Sequence, residues 1–215
     1  MVSLRVIVSS LRLVVVGLVS ALMLFLSAGC EYSGSLGPGR FDTVVVDAGH
    51  GGHDSGARSV RGSNEKALAL DTAKRLAAIL RRRGFRVIET RKADYFVTLD
   101  RRVAISNGTR NSIFVSVHYN WTRRSSARGT ETFFYSPQSQ VLAMKVQREL
   151  TRAYSSPDRG VKRRGFYVLR NNRRPAILVE CGFVSNSADN SVAQSASGRQ
   201  RIAESIARGI TAARQ

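Results

Sequence analysis

Residues 44–57, Val-Val-Val-Asp-Ala-Gly-His-Gly-Gly-His-Asp-Ser-Gly-Ala, place the strongest constraint on what this chain can fold into. Three β-branched residues in a row read as a buried strand, and the glycines behind them dictate a sharp loop. Gly49, Gly51 and Gly52 let the main chain come close to whatever His50 holds. A histidine in a glycine-rich turn proves little by itself. Its significance comes from Glu65, His118 and Glu180 further along.

From Asp42 onward, strand and helix patterns alternate. Strands are expected at residues 43–46, 85–89, 113–117, 130–135, 166–169 and 176–180. Helices are expected at 64–83, 99–107, 140–154 and 199–213; in the first, Leu68, Ala69, Thr72, Leu76, Ile79 and Leu80 recur at core spacings before Gly84 ends it. This alternation predicts a single α/β domain with a mostly parallel or mixed sheet of about six strands, flanked by helices on both faces.

On that plan His50, His118 and Glu180 all fall near the C-terminal ends of strands, where open α/β sheets bind ligands. Glu65 opens the following helix and faces the same edge if the crossover has its usual hand. Two imidazoles and one carboxylate make a catalytic zinc set with a position left for water, and a second glutamate suits proton transfer. Taken singly, Glu65 reads as a solvated first-turn acid favoured by the helix dipole, and His118 as a core histidine. Glu180, behind Ile177-Leu178-Val179, is harder to read as structural, because carboxylates are seldom buried without a partner or a task.

The N-terminus carries a different message. Arg5 and Arg12 precede an apolar run over residues 13–26, followed by Ser27-Ala28-Gly29-Cys30. A short apolar run with small residues behind it reads as an export signal over residues 1–29. Its end resembles a bacterial lipobox in which Cys30 takes the lipid, with Ser27 where that motif usually has Leu. Residues 30–41 have tether composition, leaving 42–215 as the catalytic domain. With Cys30 at this boundary and Cys181 beside Glu180, no disulfide framework is expected. The net charge is +19, or +17 once Arg5 and Arg12 are set aside, so the surface favours polyanions: nucleic acid, anionic lipid or an acidic wall.

The ordered motifs resemble the zinc-dependent N-acetylmuramoyl-L-alanine amidases, cell-wall enzymes that free stem peptides from glycan strands. Val45-Val46-Asp47-Ala48-Gly49-His50-Gly51-Gly52-x-Asp54-x-Gly56-Ala57 is similar to their first metal motif, with Ala48 where Pro is usual. Asn64-Glu65-Lys66, Thr90-Arg91-x-x-Asp94, Leu99-x-x-Arg102 and Phe114-Val115-Ser116-Val117-His118-Tyr119-Asn120 follow in order. Asp158-Arg159-Gly160-Val161-Lys162 and Pro175-Ala176-x-x-x-Val179-Glu180-x-Gly182-Phe183-x-x-Asn186 complete the set.

The resemblance implies one Zn2+ ion on His50, Glu65 and His118, Glu180 as the catalytic residue, and peptidoglycan as substrate, cut between the lactyl group of N-acetylmuramic acid and L-alanine. His53 is left out because its family position varies. The expected location is the cell envelope, exported and held to the membrane by an N-terminal lipid or anchor, on the periplasmic side. A wall carboxypeptidase of the same metal chemistry and a non-catalytic wall-binding lipoprotein are the competing readings. Nucleic acid is not expected as a partner, since charge alone suggests it. Division amidases of this family that await an activator carry an extra helix after the fourth strand. Here only residues 136–139 separate that strand from the next helix, so no obligatory activator protein is expected.

Overall fold

A computed structural model describes residues 37–153 and 156–214. The export signal, Cys30 and most of the tether therefore lie outside the described residues. The elements are β1 (Thr43–Ala48), α1 (Glu65–Arg82), β2 (Arg86–Glu89), α2 (Leu99–Asn107), β3 (Ser112–Asn120) and β4 (Thr130–Phe134). They continue with a 3-10 turn (Pro137–Ser139), α3 (Gln140–Ala153), β5 (Asp158–Arg163), α4 (Tyr167–Arg170), β6 (Ala176–Phe183), α5 (Ser187–Gln194) and α6 (Ala196–Ala213).

One six-stranded sheet has the order β2-β1-β3-β6-β4-β5. The first four strands run parallel, as right-handed crossovers through helices produce, while β4 pairs antiparallel with β6 and parallel with β5. The sheet is thus mixed, as the alternation of elements led us to expect.

Period-two alternation sends the side chains of each strand to two unequal cores. Val44, Val46, Val115, Val117, Ile177 and Val179 join Leu76, Leu80, Val146, Ile202 and Ile206 in the larger one, under α1, α3 and α6. Each such side chain, when fully buried, contributes about 1.5–3 kcal/mol. Val45, Phe114, Phe133 and Leu178 meet Val103 of α2 and Val168 and Leu169 of α4 in a smaller core on the opposite face. Two short helices cannot cover that face. Its uncovered part, toward the C-terminal ends of β1, β3 and β6, holds Asp47, Ser116, His118 and Glu180.

Two local expectations fail. Residues 166–169 do not form a strand; Tyr167–Arg170 is a helical turn. Val168 and Leu169 are both buried in the same core, and adjacent strand residues would point to opposite faces. The fifth strand is instead Asp158–Arg163, whose polar sequence suits an edge strand paired only with β4. Helix α5 is also absent from the sequence pattern. Asn186 caps it through Oδ1, which accepts from the Ala188 and Asp189 amides at 3.1 and 3.2 Å. Among the described residues no helix is long and apolar enough to cross a membrane.

Helices α1 and α6 are tied at the surface by Asp71, which accepts from Arg75 Nε at 2.7 Å and from Arg199 Nε. Burial alone would raise the Asp71 pKa, but the two guanidinium groups hold it below its ordinary 3.8. A depressed folded-state pKa stabilises the fold above the unfolded value, and that stabilisation is lost as pH falls through the folded one. With Asp71 38% exposed, Asp71→Asn should lower stability by less than about 1 kcal/mol at neutral pH. In urea titrations the gap from the parent should close as pH drops below 3.8; a gap that persists there contradicts this reading.

Candidate metal centre

The loop after β1 is built to hold a histidine in an unfavourable conformation. His50 has φ +60°, which is rare for a residue with a Cβ, and Gly51 follows at φ +127°. Three consecutive carbonyls of this turn are taken up by two buried arginines. Arg91 donates to the carbonyls of Ala48 at 3.0 Å and Gly49 at 2.7 Å. Arg102 donates to those of Ala48 at 2.6 Å and His50 at 2.7 Å. Arg102 also pairs with Asp47 at 2.6 Å, and Asp47 accepts from Thr90 Oγ1 and Ser116 Oγ at the same distance. The two arginines fix the backbone on which His50 sits.

His50 Nδ1 faces both carboxylate oxygens of Asp54 at 2.9 Å, which leaves Nε2 for the centre. Nε2 lies 3.1 Å from Glu65 Oε2, and His118 Nδ1 lies 2.9 Å from Glu65 Oε1. Glu65, the first residue of α1, also accepts from the Ala57 amide at 2.9 Å and the Tyr119 amide at 3.0 Å. Ligand atoms from His50, Glu65 and His118 all lie within 4.8 Å of one another. Two glycines make this closeness possible: a Cβ on Gly49 would stand 2.3 Å from the His118 ring. One on Gly56 would stand 2.7 Å from both Glu65 Oε2 and the His50 ring. The donor set, two imidazoles and a carboxylate with backing groups, suits a zinc ion.

Charges tune the centre. Burial opposes ionisation of Glu65, but hydrogen bonds from His118 and His50 hold its pKa far below the carboxylate range. Burial also pulls His50 down, yet Glu65 and Asp54 together raise it above 6.5. Glu180 stands in register with His118 on the next strand. Its Oε2 is covered and has no hydrogen-bond partner. Burial, then the negative charges of Glu65 and Glu131, push the Glu180 pKa well above the ordinary value. Glu131 is the antiparallel partner of Glu180 on β4. It accepts from Asn120 Nδ2 at 2.6 Å and is paired with Lys162 and, at 3.6 Å, Arg159.

A cleft of about 540 Å3 opens above these groups. Phe96, Val97, Leu99, Trp121, Phe166 and Tyr167 are among the residues that line it. Tyr167 donates to Asp100 and so joins α4 to α2. His53 is exposed, with its ring 4.1 Å from that of Phe96, and takes no part in the cluster. Cys181 points into the larger core, away from Glu180.

All four residues singled out in the sequence thus converge, although His118 and Glu180 lie inside longer strands and do not terminate them. The roles of Asp47, Arg91, Arg102 and Glu131 are not visible in the sequence. The usable signal was an acid closing a buried strand, which demands a buried cation somewhere.

Fold and side chains together define an α/β domain with a two-histidine, one-glutamate set able to hold a metal beside a proton-accepting carboxyl. The chain belongs to the N-acetylmuramoyl-L-alanine amidase family, whose model matches residues 44–212. It is 38% identical over 172 residues to YqiI, an uncharacterised protein of Bacillus subtilis, covering 78% of this chain and 82% of that one. The N-acetylmuramoyl-L-alanine amidase AmiC2 of Nostoc punctiforme superposes with a TM-score of 0.77 at 39% identity, covering 79% of this chain and 95% of the other. CwlD of Clostridioides difficile, solved in complex with the GerS lipoprotein, gives a TM-score of 0.77 at 30% identity, covering 80% and 98%. Other curated relatives are longer, and the chain spans about a third of their length.

Replacing Gly49 by Ala tests the close approach of backbone to His118. The added methyl has no room, so zinc affinity measured against a competing chelator should fall about 10–100-fold. Unchanged affinity would mean that this contact does not set the site.

Proposed function

We propose that this chain uses one zinc ion to hydrolyse the amide between the lactyl group of N-acetylmuramic acid and L-alanine in peptidoglycan. The observation that carries this reading is a pairing within one cleft. Three ligand atoms lie within 4.8 Å, and a carboxyl oxygen with no partner sits on the neighbouring strand.

In this reading His50, Glu65 and His118 hold the ion. Bound there, zinc would supply Lewis acidity toward the scissile carbonyl and lower the pKa of the attacking water to about 7. Asp54 keeps the His50 ring in the tautomer that presents Nε2. Glu180 takes the proton of the attacking water and returns it to the alanine nitrogen as the C–N bond breaks. The register with His118 keeps this carboxyl beside the ligands, and its elevated pKa favours holding the proton between the two transfers. The apolar walls of the cleft limit bulk water around the reacting amide.

The same reading extends to location and control. Residues 1–29 export the chain, and lipid on Cys30, or an uncleaved apolar segment, holds it at the membrane with the domain facing the wall. The β4–α3 connection carries only a 3-10 turn, with no inserted helix to cover the cleft. The domain is therefore proposed to act without an obligatory activator.

Glu180→Gln separates proton transfer from metal binding. Zinc content should stay at one ion per chain while turnover at saturating substrate falls by about 10² or more. A variant that retains near-normal turnover would remove Glu180 from the mechanism.

A further inference from the structure

At the end where β1, β2, β3 and β6 begin and α1, α2 and α6 finish, Arg40, Arg83, Arg86, Arg110, Arg173 and Arg214 are all exposed. Local contacts join them into one surface. The Arg214 guanidinium lies 4.5 Å over the Phe85 ring, and Phe85 stacks on Phe41 at 5.9 Å. Arg83 donates to Thr211 at 3.1 Å. The amides of Asp42 and Thr43 bond the Asn111 carbonyl, and the Arg173 amide bonds Asn107 Oδ1. Arg40, Asn111 and Arg214 border a shared hollow of about 460 Å3 with Phe41 and Asp42. Among the described residues at these element ends, the acid is Asp42.

Two further facts give this pole a direction. The chain enters the domain here, at residues 37–40, and nine residues lie between Cys30 and Arg40, a distance of ten residue steps. Ten residues span at most about 35 Å even when fully extended. The metal-site cleft lies at the other end of the same strands, roughly 20 Å away from Ser112 to His118 along β3 at about 3.3 Å per residue.

We propose that the arginine pole docks on the anionic phospholipid headgroups of the membrane to which the N-terminal segment leads, so that the cleft faces outward toward the wall. This rests on the reading that residues 1–30 bring the chain to a membrane. Arginines within a Debye length of an anionic bilayer, about 8 Å, are attracted to it, and the attraction is screened by salt. A short tether makes the docking intramolecular, so a weak surface attraction suffices to orient the domain.

Trp121 is the one tryptophan of the chain and lies at the cleft, 49% exposed, which makes it a built-in reporter of orientation. The full chain is reconstituted into vesicles of phosphatidylcholine, with or without about one-third phosphatidylglycerol, carrying a dansyl headgroup acceptor. Energy transfer from Trp121 should be lower on the anionic vesicles, because docking holds the cleft away from the bilayer. Added salt, or the triple variant R83E/R86E/R110E, should return transfer to the neutral-vesicle level. Hydrolysis of a small soluble muropeptide by that variant should stay within about twofold of the parent, since these residues lie far from the cleft. Equal transfer on the two vesicle types overturns the proposal. So does preferential capture of the full chain by purified sacculi when anionic vesicles are offered alongside, which assigns the pole to the wall. Failure of the membrane-targeting reading has a different signature: the chain would not float with neutral vesicles, yet would still float with anionic ones.

Discussion

Asp47 closes β1 with 1% of its surface exposed, and its charge has to be answered inside the protein. Arg102 does so from α2, helped by hydroxyls from β3 and from the end of β2. Taking two charges out of water is costly, and removing one partner of a buried pair typically costs about 3–5 kcal/mol. The pair is therefore a weak source of net stability and a strong source of geometry. With Asp47 in place, the Arg102 guanidinium is aimed at the carbonyls of Ala48 and His50, and Arg91 completes the clamp from behind. The clamp, with the Gly51–Asp54 backbone bonds, holds His50 at φ +60°, where its ring meets Glu65 and His118.

The site built on this turn is electrically asymmetric. Glu65 accepts from two amides and faces two imidazoles, and stays ionised despite burial. Glu180, one strand further, has a covered oxygen without a donor and resists ionisation. Two glutamates on one sheet face are thus driven toward different tasks by their surroundings, as paired carboxyls in hydrolytic sites commonly are. In the proposed mechanism the ionised one holds zinc and the proton-avid one shuttles the proton. Glu131 belongs to the same gradient. Its negative charge opposes ionisation of Glu180, while Asn120, Lys162 and Arg159 hold the Glu131 side chain in place.

Much of this was legible in the sequence, and the physical reasons for the rest are specific. His50, His118 and Glu180 stand out because buried strands announce themselves through β-branched runs, and ligands gather where such strands end. Glu65 was legible as an acid in the first turn of an amphipathic helix. Arg102 was not, because its partner lies 55 positions away and a helix pattern cannot reveal what a buried cation pairs with. Glu131 was hidden for a related reason: its closeness to Glu180 depends on β4 inserting antiparallel between β6 and β5. Strand β5 itself lacks the alternation of a buried strand because solvent takes one of its edges. The apolar residues at 166–169 imitate a strand, yet close the small core as a helical turn.

The central claim is that one zinc-dependent cleft, complete within this chain, cuts the lactyl–alanine amide. Mass analysis of sacculi digested by the purified, zinc-loaded full chain alone tests it most directly. The account predicts intact stem peptides released from intact glycan, and no release once the metal is stripped by a chelator. Peptides shortened but still attached to the sugar, or no product until a second protein is added, would contradict it.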